Sequence, residues 1–422
     1  MSEGPGGIQL PNGWRRVRLG EICALNPRAA PSLARPDEAL TAFVPMSAVD
    51  ERLGRITRFE LRPYAEVRKG HTFFAEGDVM FAKITPCMQN GKHAVVRGLT
   101  DGIGFGSTEF HVLRPGLEVT SEWIHHFMRQ PHILTAAMAH FYGTVGQQRV
   151  PEGFLASLEI PLPSLAEQRR IVALLEECMA QVERARAAAE DRLRALEALP
   201  DACLRGVFNG FTPLSVSSNV DATPFGWSWR RLTDIARLES GHTPSRYHPE
   251  WWGGPIHWIA LPDIRQLDGK IAFETSEHTN EAGIANSSAR VLPARTVVLS
   301  RTASVGFVTV MGREMATSQD FVNWVCGPEI DPVFLAYLLR ASRDYIRSLA
   351  SGAVHNTVYM PTVKAFHVCI PSLSAQKQIV AMLDDQMASI EKARLATDAE
   401  LEGITVLPAA ILRRAFAGEL QP

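Results

Sequence analysis

Apolar residues in this chain follow two periods. Over most of the sequence they form short β-branched and aromatic runs cut by Gly, Pro and Asp, and in two places they change to steps of four and three held over many turns. The short runs at 41–44, 79–84, 93–96 and 110–113, and again at 256–259, 296–299 and 307–311, predict strands. Helical spacing of Ile124, Phe127, Met128, Ile133, Leu134 and Met138 predicts a helix over 122–142, and another is expected over 332–349. The first sustained stripe is Ile171, Leu175, Cys178, Val182, Ala185, Ala189, Leu196 and Leu199, interrupted by Arg192. It predicts a helix of roughly 50 Å at 1.5 Å per residue, begun by a Ser164–Glu167 capping box and stopped before Pro200. A short helix with Leu204, Val207 and Phe208 should follow, closed by Gly210. The second stripe, Ile379, Leu383, Gln386, Ile390, Ala393, Thr397, Ile404 and Leu407, predicts a helix from Ser372 to about Leu407, where Ala375 replaces the capping glutamate. Both stripes are narrow heptad seams, suited to packing on each other. The globular segment between them lets the chain turn back, so the pair should be antiparallel.

The two stripes are one sequence used twice. Aligned at an offset of 208, positions 163–210 and 371–418 share 22 of 48 residues without a gap, counted along the chain. The starts of the halves also match, Trp14 against Trp227, and weaker echoes follow. Phe43-Val44-Pro45-Met46 resembles Trp258-Ile259-Ala260-Leu261, and Ser107-Thr108-Glu109-Phe110 resembles Ser318-Gln319-Asp320-Phe321. Repeats of this length mean two related halves. The expected fold is α/β (α+β): two globular domains joined by two long antiparallel coiled-coil helices, with pseudo-two-fold symmetry. The boundaries expected are 1–160, a helical spacer 161–210, a Ser/Thr/Asn-rich linker 211–222, a second domain 223–370 and a second helical spacer 371–422.

Charge changes the picture. The 422 residues carry 43 basic and 45 acidic side chains, a net charge of −2, and no part of the chain is strongly basic. Any polyanion must be met by local charge or with a partner's help. No apolar stretch long enough for a membrane span is present, residues 1–7 lack the pattern of a secretory signal, and the six cysteines show no paired spacing. A reduced, cytoplasmic protein with no membrane partner is expected. Catalytic patterns are missing as well. Gly102-Ile103-Gly104-Phe105-Gly106 reads as a turn between strands rather than a cofactor loop. Pro262-Asp263 with Asp268-Gly269-Lys270 imitates a nuclease motif at too short a spacing, and His125-His126 has no acidic partner at metal-ligand spacing. No phosphate loop occurs. No catalytic residue and no metal ligand is expected.

Variable domain, long helix, variable domain, long helix is a layout that resembles the specificity subunit of type I restriction-modification systems. The Pro-Ser-Leu-x-x-Gln-x-x-Ile-Val segments at 163–172 and 371–380 match the way that family leads into its helices. The run Glu239-Ser240-Gly241-His242-Thr243-Pro244-Ser245-Arg246, followed by Pro249-Glu250-Trp251-Trp252-Gly253-Gly254, is similar to the start of many target-recognition domains. The first half departs here, with Asn26-Pro27-Arg28-Ala29-Ala30-Pro31-Ser32 in the corresponding place, which suggests that the two half-sites differ. The resemblance implies a non-catalytic protein of phage defence in which each domain reads half of a split double-stranded DNA site and the helices set the spacing. It also implies two modification (methyltransferase) subunits that carry S-adenosylmethionine, two restriction (motor nuclease) subunits, and no cofactor on this chain. The alternatives are a coiled-coil adaptor without DNA contact, which the near-neutral charge favours, and a single-chain methyltransferase or nuclease, which the missing motifs disfavour.

Base edges and phosphates are met by Arg, Lys, Asn, Gln, Ser and Thr, so loops dense in them are the candidate contacts. In the first domain these are Lys83, Thr85, Gln89, Asn90, Lys92, Gln147, Gln148 and Arg149. In the second they are Thr243, Ser245, Arg246, Ser300, Arg301, Thr302, His355, Asn356 and Thr357. The pairs Trp14-Arg15-Arg16 and Trp229-Arg230-Arg231 read as scaffold, with the arginines reaching to solvent.

Overall fold

A computed structural model describes residues 10–30, 35–144, 147–217, 223–352 and 356–421. The chain forms two compact units, one made of the chain up to Glu190 together with Ala399 onward, the other of Asp191–Asp398. Unit boundaries thus fall inside the long helices. The matching class is α/β, with mixed sheets and flanking helices. Among the described residues no helix is long and apolar enough to cross a membrane.

In the first unit, one four-stranded sheet orders Glu60–Pro63, Leu40–Val44, Ile103–Gly106 and Thr72–Ala75, and a second orders Cys23–Leu25, Phe110–Pro115, Val79–Ala82 and His93–Val95. The glycine run at 102–106, expected as a turn, is therefore a strand. Its glycines serve close packing: a Cβ on Gly104 would lie 2.3 Å from the Phe74 ring, and one on Gly106 2.9 Å from the Val44 carbonyl. The helix expected over 122–142 is two, Ser121–Met128 and Pro131–Ala139. Gln130, held extended before Pro131 (ψ 132°), breaks it.

The second unit is built on a five-stranded sheet ordered Ala236–Ser240, Phe321–Cys326, Val297–Ser300, Val308–Met311 and Ile271–Ala272, beside a three-stranded sheet ordered Glu277–Thr279, Trp252–Ile259 and Met315–Thr317. Phe334, Leu335, Leu338 and Leu339 of helix Pro332–Ala341 are buried in the core with Val297, Leu299, Val322 and Trp324. Ser342 separates this helix from Arg343–Ser348. Matching edge pairs root each half: Arg15–Arg18 lies antiparallel to Glu159–Leu162, and Ser228–Arg231 to His367–Ile370.

The long helices run Leu165–Val207 and Leu373–Phe416, past Pro200 and Pro408, where the seam pattern predicted a stop and a near-stop. A proline removes one backbone N–H and crowds the preceding turn. Here the residues beyond each proline are core anchors, Leu204 and Phe208 in one case, Leu412, Ala415 and Phe416 in the other, and their burial outweighs the lost bond. In the first unit the order of contacts shows an antiparallel pair. Ile171, Val172 and Leu175 share a core with Leu412, Ala415 and Phe416, while Val182 and Ala189 pack with Ile404. In the second unit Leu204 packs with Leu383 and Tyr337. The seam differs from expectation at Ala185, Leu199, Gln386 and Leu407, which are exposed. Arg186 covers the gap by Ala185, its guanidinium 3.4 Å from the Thr405 hydroxyl.

Each long helix is fastened by one buried glutamine. Gln168 and Gln376 are 0% exposed. Gln168 Oε1 accepts the Thr120 N–H (2.9 Å), and its Nε2 donates to the carbonyls of Glu118 and Pro163 (both 2.9 Å). Gln376 repeats this with Asp331 N–H (2.9 Å) and the carbonyls of Glu329 (3.1 Å) and Pro371 (3.0 Å). The serine half of the cap occurs at the start of both helices, Ser164 Oγ accepting from Glu167 N and Ser372 Oγ from Ala375 N. The Glu167 carboxylate instead holds Arg170 through two 2.8 Å bonds. Gln168→Ala is expected to cost about 1–3 kcal/mol, because backbone groups left unpaired lose more than the bond itself was worth. Gln168→Glu should not recover it, since a carboxylate accepts but cannot donate. Denaturant midpoints of both variants check this, and a wild-type midpoint in Gln168→Ala would remove the clamp.

His93, His125 and His126 form a second polar inclusion, 2%, 6% and 8% exposed, with rings 5.3 and 5.4 Å apart in sequence. Burial above all pushes all three below the ordinary histidine range, His126 to about 4, with Arg129 adding to it in each case and the neighbouring imidazoles in His93 and His125. The unfolded chain takes up protons near 6.5 and the folded one does not, so stability is intact above that pH and falls as pH drops toward 4. For His126 alone the loss is about 2 kcal/mol at pH 5. His126→Gln should flatten the fall in thermal midpoint between pH 7.5 and 5, and an equally steep fall in the variant would count against a neutral core histidine.

Candidate nucleic-acid interface

In the first unit, strand pairing gathers five of the eight candidate residues. Val150 N–H donates to the Lys83 carbonyl (2.9 Å), Thr85 N–H to Gln148 O (3.0 Å) and Lys83 N–H to Glu109 O (2.8 Å). Arg149 bridges Ile84 on one side and Tyr142 on the other. Its guanidinium grips Glu109 through Nε (2.9 Å) and Nη2 (2.8 Å). These bonds, and the charges of Arg149 and Lys83, hold the Glu109 carboxyl below the usual carboxylate range. Thr85 Oγ1 accepts the Gln148 N–H (3.2 Å), and Gln147 is exposed beside it. Gln89 and Asn90 are exposed on the turn after Thr85, with Gln89 Nε2 3.6 Å from the Met138 sulfur. Lys92 is not joined to this group. Its Nζ donates to Val49 O (2.9 Å) and pairs with Glu51 (3.0 Å).

The second unit repeats the backbone pattern bond for bond. Val358 N–H donates to the Arg301 carbonyl (2.9 Å), Ala303 N–H to Asn356 O (3.2 Å) and Arg301 N–H to Asp320 O (2.9 Å), while Thr357 bridges Thr302 and Ser351. Lys83 therefore stands where Arg301 stands, Glu109 where Asp320 does, and Gln148 where Asn356 does. Arg149 has Thr357 in its place. The frame is constant and the side chains on it differ.

Other candidates are placed by side-chain contacts. Ser300 is 0% exposed, its hydroxyl donating to Thr302 O (3.2 Å), so it supports the loop from inside. The Thr243 hydroxyl donates to the Gln319 side chain, and Arg301 Nη2 donates to Gln319 O (2.9 Å). Gln319 thus ties the 242–246 loop to the 300–302 loop. Arg246 lies 3.9 Å over the Trp252 ring and pairs with Glu277 at 2.9 and 2.6 Å. The Ser245 carbonyl accepts from Trp252 Nε1 (3.3 Å). Gly241 is required by close approach, because a Cβ there would lie 1.9 Å from Ser318 O. His355 lies outside the described residues. Glu109, Gln319 and Asp320 were not among the sequence candidates, although the echo between 107–110 and 318–321 marked the start of that strand in both halves.

The residues that imitated a nuclease motif are structural. Asp263 accepts from Ala260 N (3.1 Å) and Ser276 N (2.9 Å), and Asp268 holds Arg343 at 2.7 and 2.5 Å and the Val308 N–H at 2.9 Å. A cleft of about 820 Å³ in the first unit is lined by Arg52, Arg97, Glu122, His125 and Arg129, and none of the candidate loop residues lines it. The scaffold arginines pair with acids, Arg15 with Glu118 at 2.6 Å and Arg230 with Glu329.

Comparison with known proteins gives the same answer on three scales. The family model described as the type I restriction modification DNA specificity domain matches residues 11–189 and 224–400. The chain is 38% identical over 180 residues to the type I restriction enzyme EcoEI specificity subunit of Escherichia coli, and 37% identical over 173 residues to the EcoAI specificity subunit of the same species. These matches take in 42% and 41% of this chain and span 30% and 29% of those relatives. The fold is that of a chain solved in work on complex assembly and conformational transition of the type I R-M system (TM-score 0.77, 24% identity, 98% of this chain and 100% of that one). It is also that of the HsdS subunit from Thermoanaerobacter tengcongensis (TM-score 0.69, 24% identity, 100% of both chains). With the family model matched once in each half and over most of its length, the chain belongs to the type I restriction modification DNA specificity family.

Proposed function

We propose that this chain is the non-catalytic DNA-recognition subunit of a type I restriction-modification complex in the cytoplasm, and that it reads a bipartite, asymmetric site with one half-site per unit. The observation that carries the reading is the duplicated frame of hydrogen bonds around Lys83 and Arg301, which presents different polar side chains from the same backbone in each unit. A carboxamide stands at the same place in both, Gln148 and Asn356, and a carboxamide can bond an adenine edge at two points. The methyl donor, S-adenosylmethionine, belongs in this reading to two modification subunits, with two restriction subunits completing the assembly.

A net charge of −2 favours a second reading, an adaptor that holds partners without touching DNA. The two separate on salt: phosphate contacts make affinity fall steeply with ionic strength, and an adaptor shows no such binding. Within the first reading, Gln148→Ala is expected to relax base choice in one half-site and Asn356→Ala in the other, each by about 1–3 kcal/mol of discrimination. Methylation profiling of the assembled complex measures this. A variant that alters both half-sites alike would contradict one reader per unit.

A further inference from the structure

Among the described residues, one cluster has the donors and spacing of a metal site. It lies in the second unit, on the three-stranded sheet. His257 and His278 are directly opposed in the antiparallel pairing of Trp252–Ile259 with Glu277–Thr279. Opposed side chains on one face meet at contact distance. Here the rings stand 4.5 Å apart, with His257 Nδ1 3.1 Å from His278 Nε2. Glu274, in the loop before Glu277–Thr279, puts Oε2 3.8 Å from the same Nδ1. One donor atom from each of the three residues lies within 4.8 Å of the others. Around a tetrahedral ion with bonds of about 2.0–2.1 Å, neighbouring ligand atoms are roughly 3.3 Å apart. The two observed spacings bracket that value, so small rotations of exposed or half-buried side chains close the set. We propose that His257 Nδ1, His278 Nε2 and the Glu274 carboxylate form a site for a divalent first-row transition ion such as Zn²⁺.

Two imidazoles and one carboxylate select this class over Mg²⁺ or Ca²⁺, which take oxygen ligands. Three protein ligands leave a position for water. The spacing in sequence hides the site. His257 and His278 are brought together by β-pairing, and no short motif contains both.

Arg313 sets the metal-free state. Its Nη1 is 2.8 Å from His257 Nε2 and 3.6 Å from Glu274 Oε1. A guanidinium only donates, so Nε2 accepts, the ring proton sits on Nδ1, and it is shared with His278 Nε2. An ion on Nδ1 requires the other neutral tautomer, with the proton on Nε2, where Arg313 opposes it. The side chain of Arg313 is 49% exposed and can swing away. No net proton is released, because the one leaving Nδ1 is replaced at Nε2. The usual partner behind a metal-bound imidazole is an acceptor. Arg313 thus weakens the site, and Arg313→Gln, which offers an amide oxygen, should strengthen it.

The ion would cross-link two strands that also carry the Arg246 platform, since Arg246 stacks on Trp252 and pairs with Glu277. The test uses the full chain, stripped with chelator and titrated with ZnCl₂ by calorimetry, and separately with Co²⁺ followed by its visible ligand-field absorption. Wild type is expected to bind zinc with a rise in thermal midpoint, and cobalt with the intense bands of a low-coordinate site. His278→Ala and Glu274→Gln should each weaken this by about tenfold or more, and Arg313→Gln should tighten it. Glu274 is 73% exposed, so its replacement leaves the core intact and a loss there is not unfolding. No zinc binding by wild type, or the same affinity in Glu274→Gln and His278→Ala, overturns the proposal. So does binding that Arg313→Gln leaves unchanged.

Discussion

A primary amide with no exposed surface has to find partners for its oxygen and both its hydrogens, and Gln168 and Gln376 do so at the root of each long helix. The bonds reach the residue that caps an earlier helix of the same unit, Thr120 or Asp331, and the proline two residues before the long helix, Pro163 or Pro371. One side chain therefore fixes three pieces of backbone together. Fully satisfied buried networks of this kind rigidify their surroundings, and partly satisfied ones are costly. A helix of more than forty residues behaves as a lever on its root, so a small rotation there becomes a large displacement along its length. The same clamp is made by both copies of the Pro-Ser-Leu-x-x-Gln pattern.

From that root the two units build the same frame outward. The edge strand pair, the helix after the glutamine-bonded loop and the three backbone bonds around Lys83 or Arg301 recur in each. Backbone bonds tolerate any side chain, which leaves the residues on the frame free to differ. Arg149 grips Glu109, whereas Thr357 at the same place holds a hydroxyl 3.4 Å from Thr302. Side chains that differ between the halves without disturbing the fold are well placed on such main-chain pairing. The near-neutral charge fits this picture. Two basic groups near the frame are paired with acids, Arg149 with Glu109 and Arg246 with Glu277, which orients their guanidinium donors and offsets their charge.

Much of the architecture was legible in the sequence. Period marked the strands and the two seams, because burial on one face imposes it. The repeat fixed the number of halves, since each copy needs the same root and the same seam. Local signals misled where a distant contact outweighed them. Pro200 and Pro408 looked like stops but are carried through by anchors beyond them, and Gly104 and Gly106 looked like a turn but are gaps for Phe74 and Val44. The candidate loops were chosen for their polarity, yet polarity could not separate Ser300, buried at the end of its strand, or Lys92, tied to Glu51, from exposed Gln147 and Asn356.

By itself, then, the sequence determined the class of fold, the duplicated plan and the family, all of which rest on patterns that repeat at fixed spacing along the chain. Only the tertiary structure decided which side chains share a site. Gln148 with Thr85, Thr243 with Gln319, and His257 with His278 are each brought together by strand pairing or loop docking between segments far apart in sequence. The physical reason is that these neighbours lie on segments that meet only across paired strands or docked loops, so no short run of sequence contains both members of a pair.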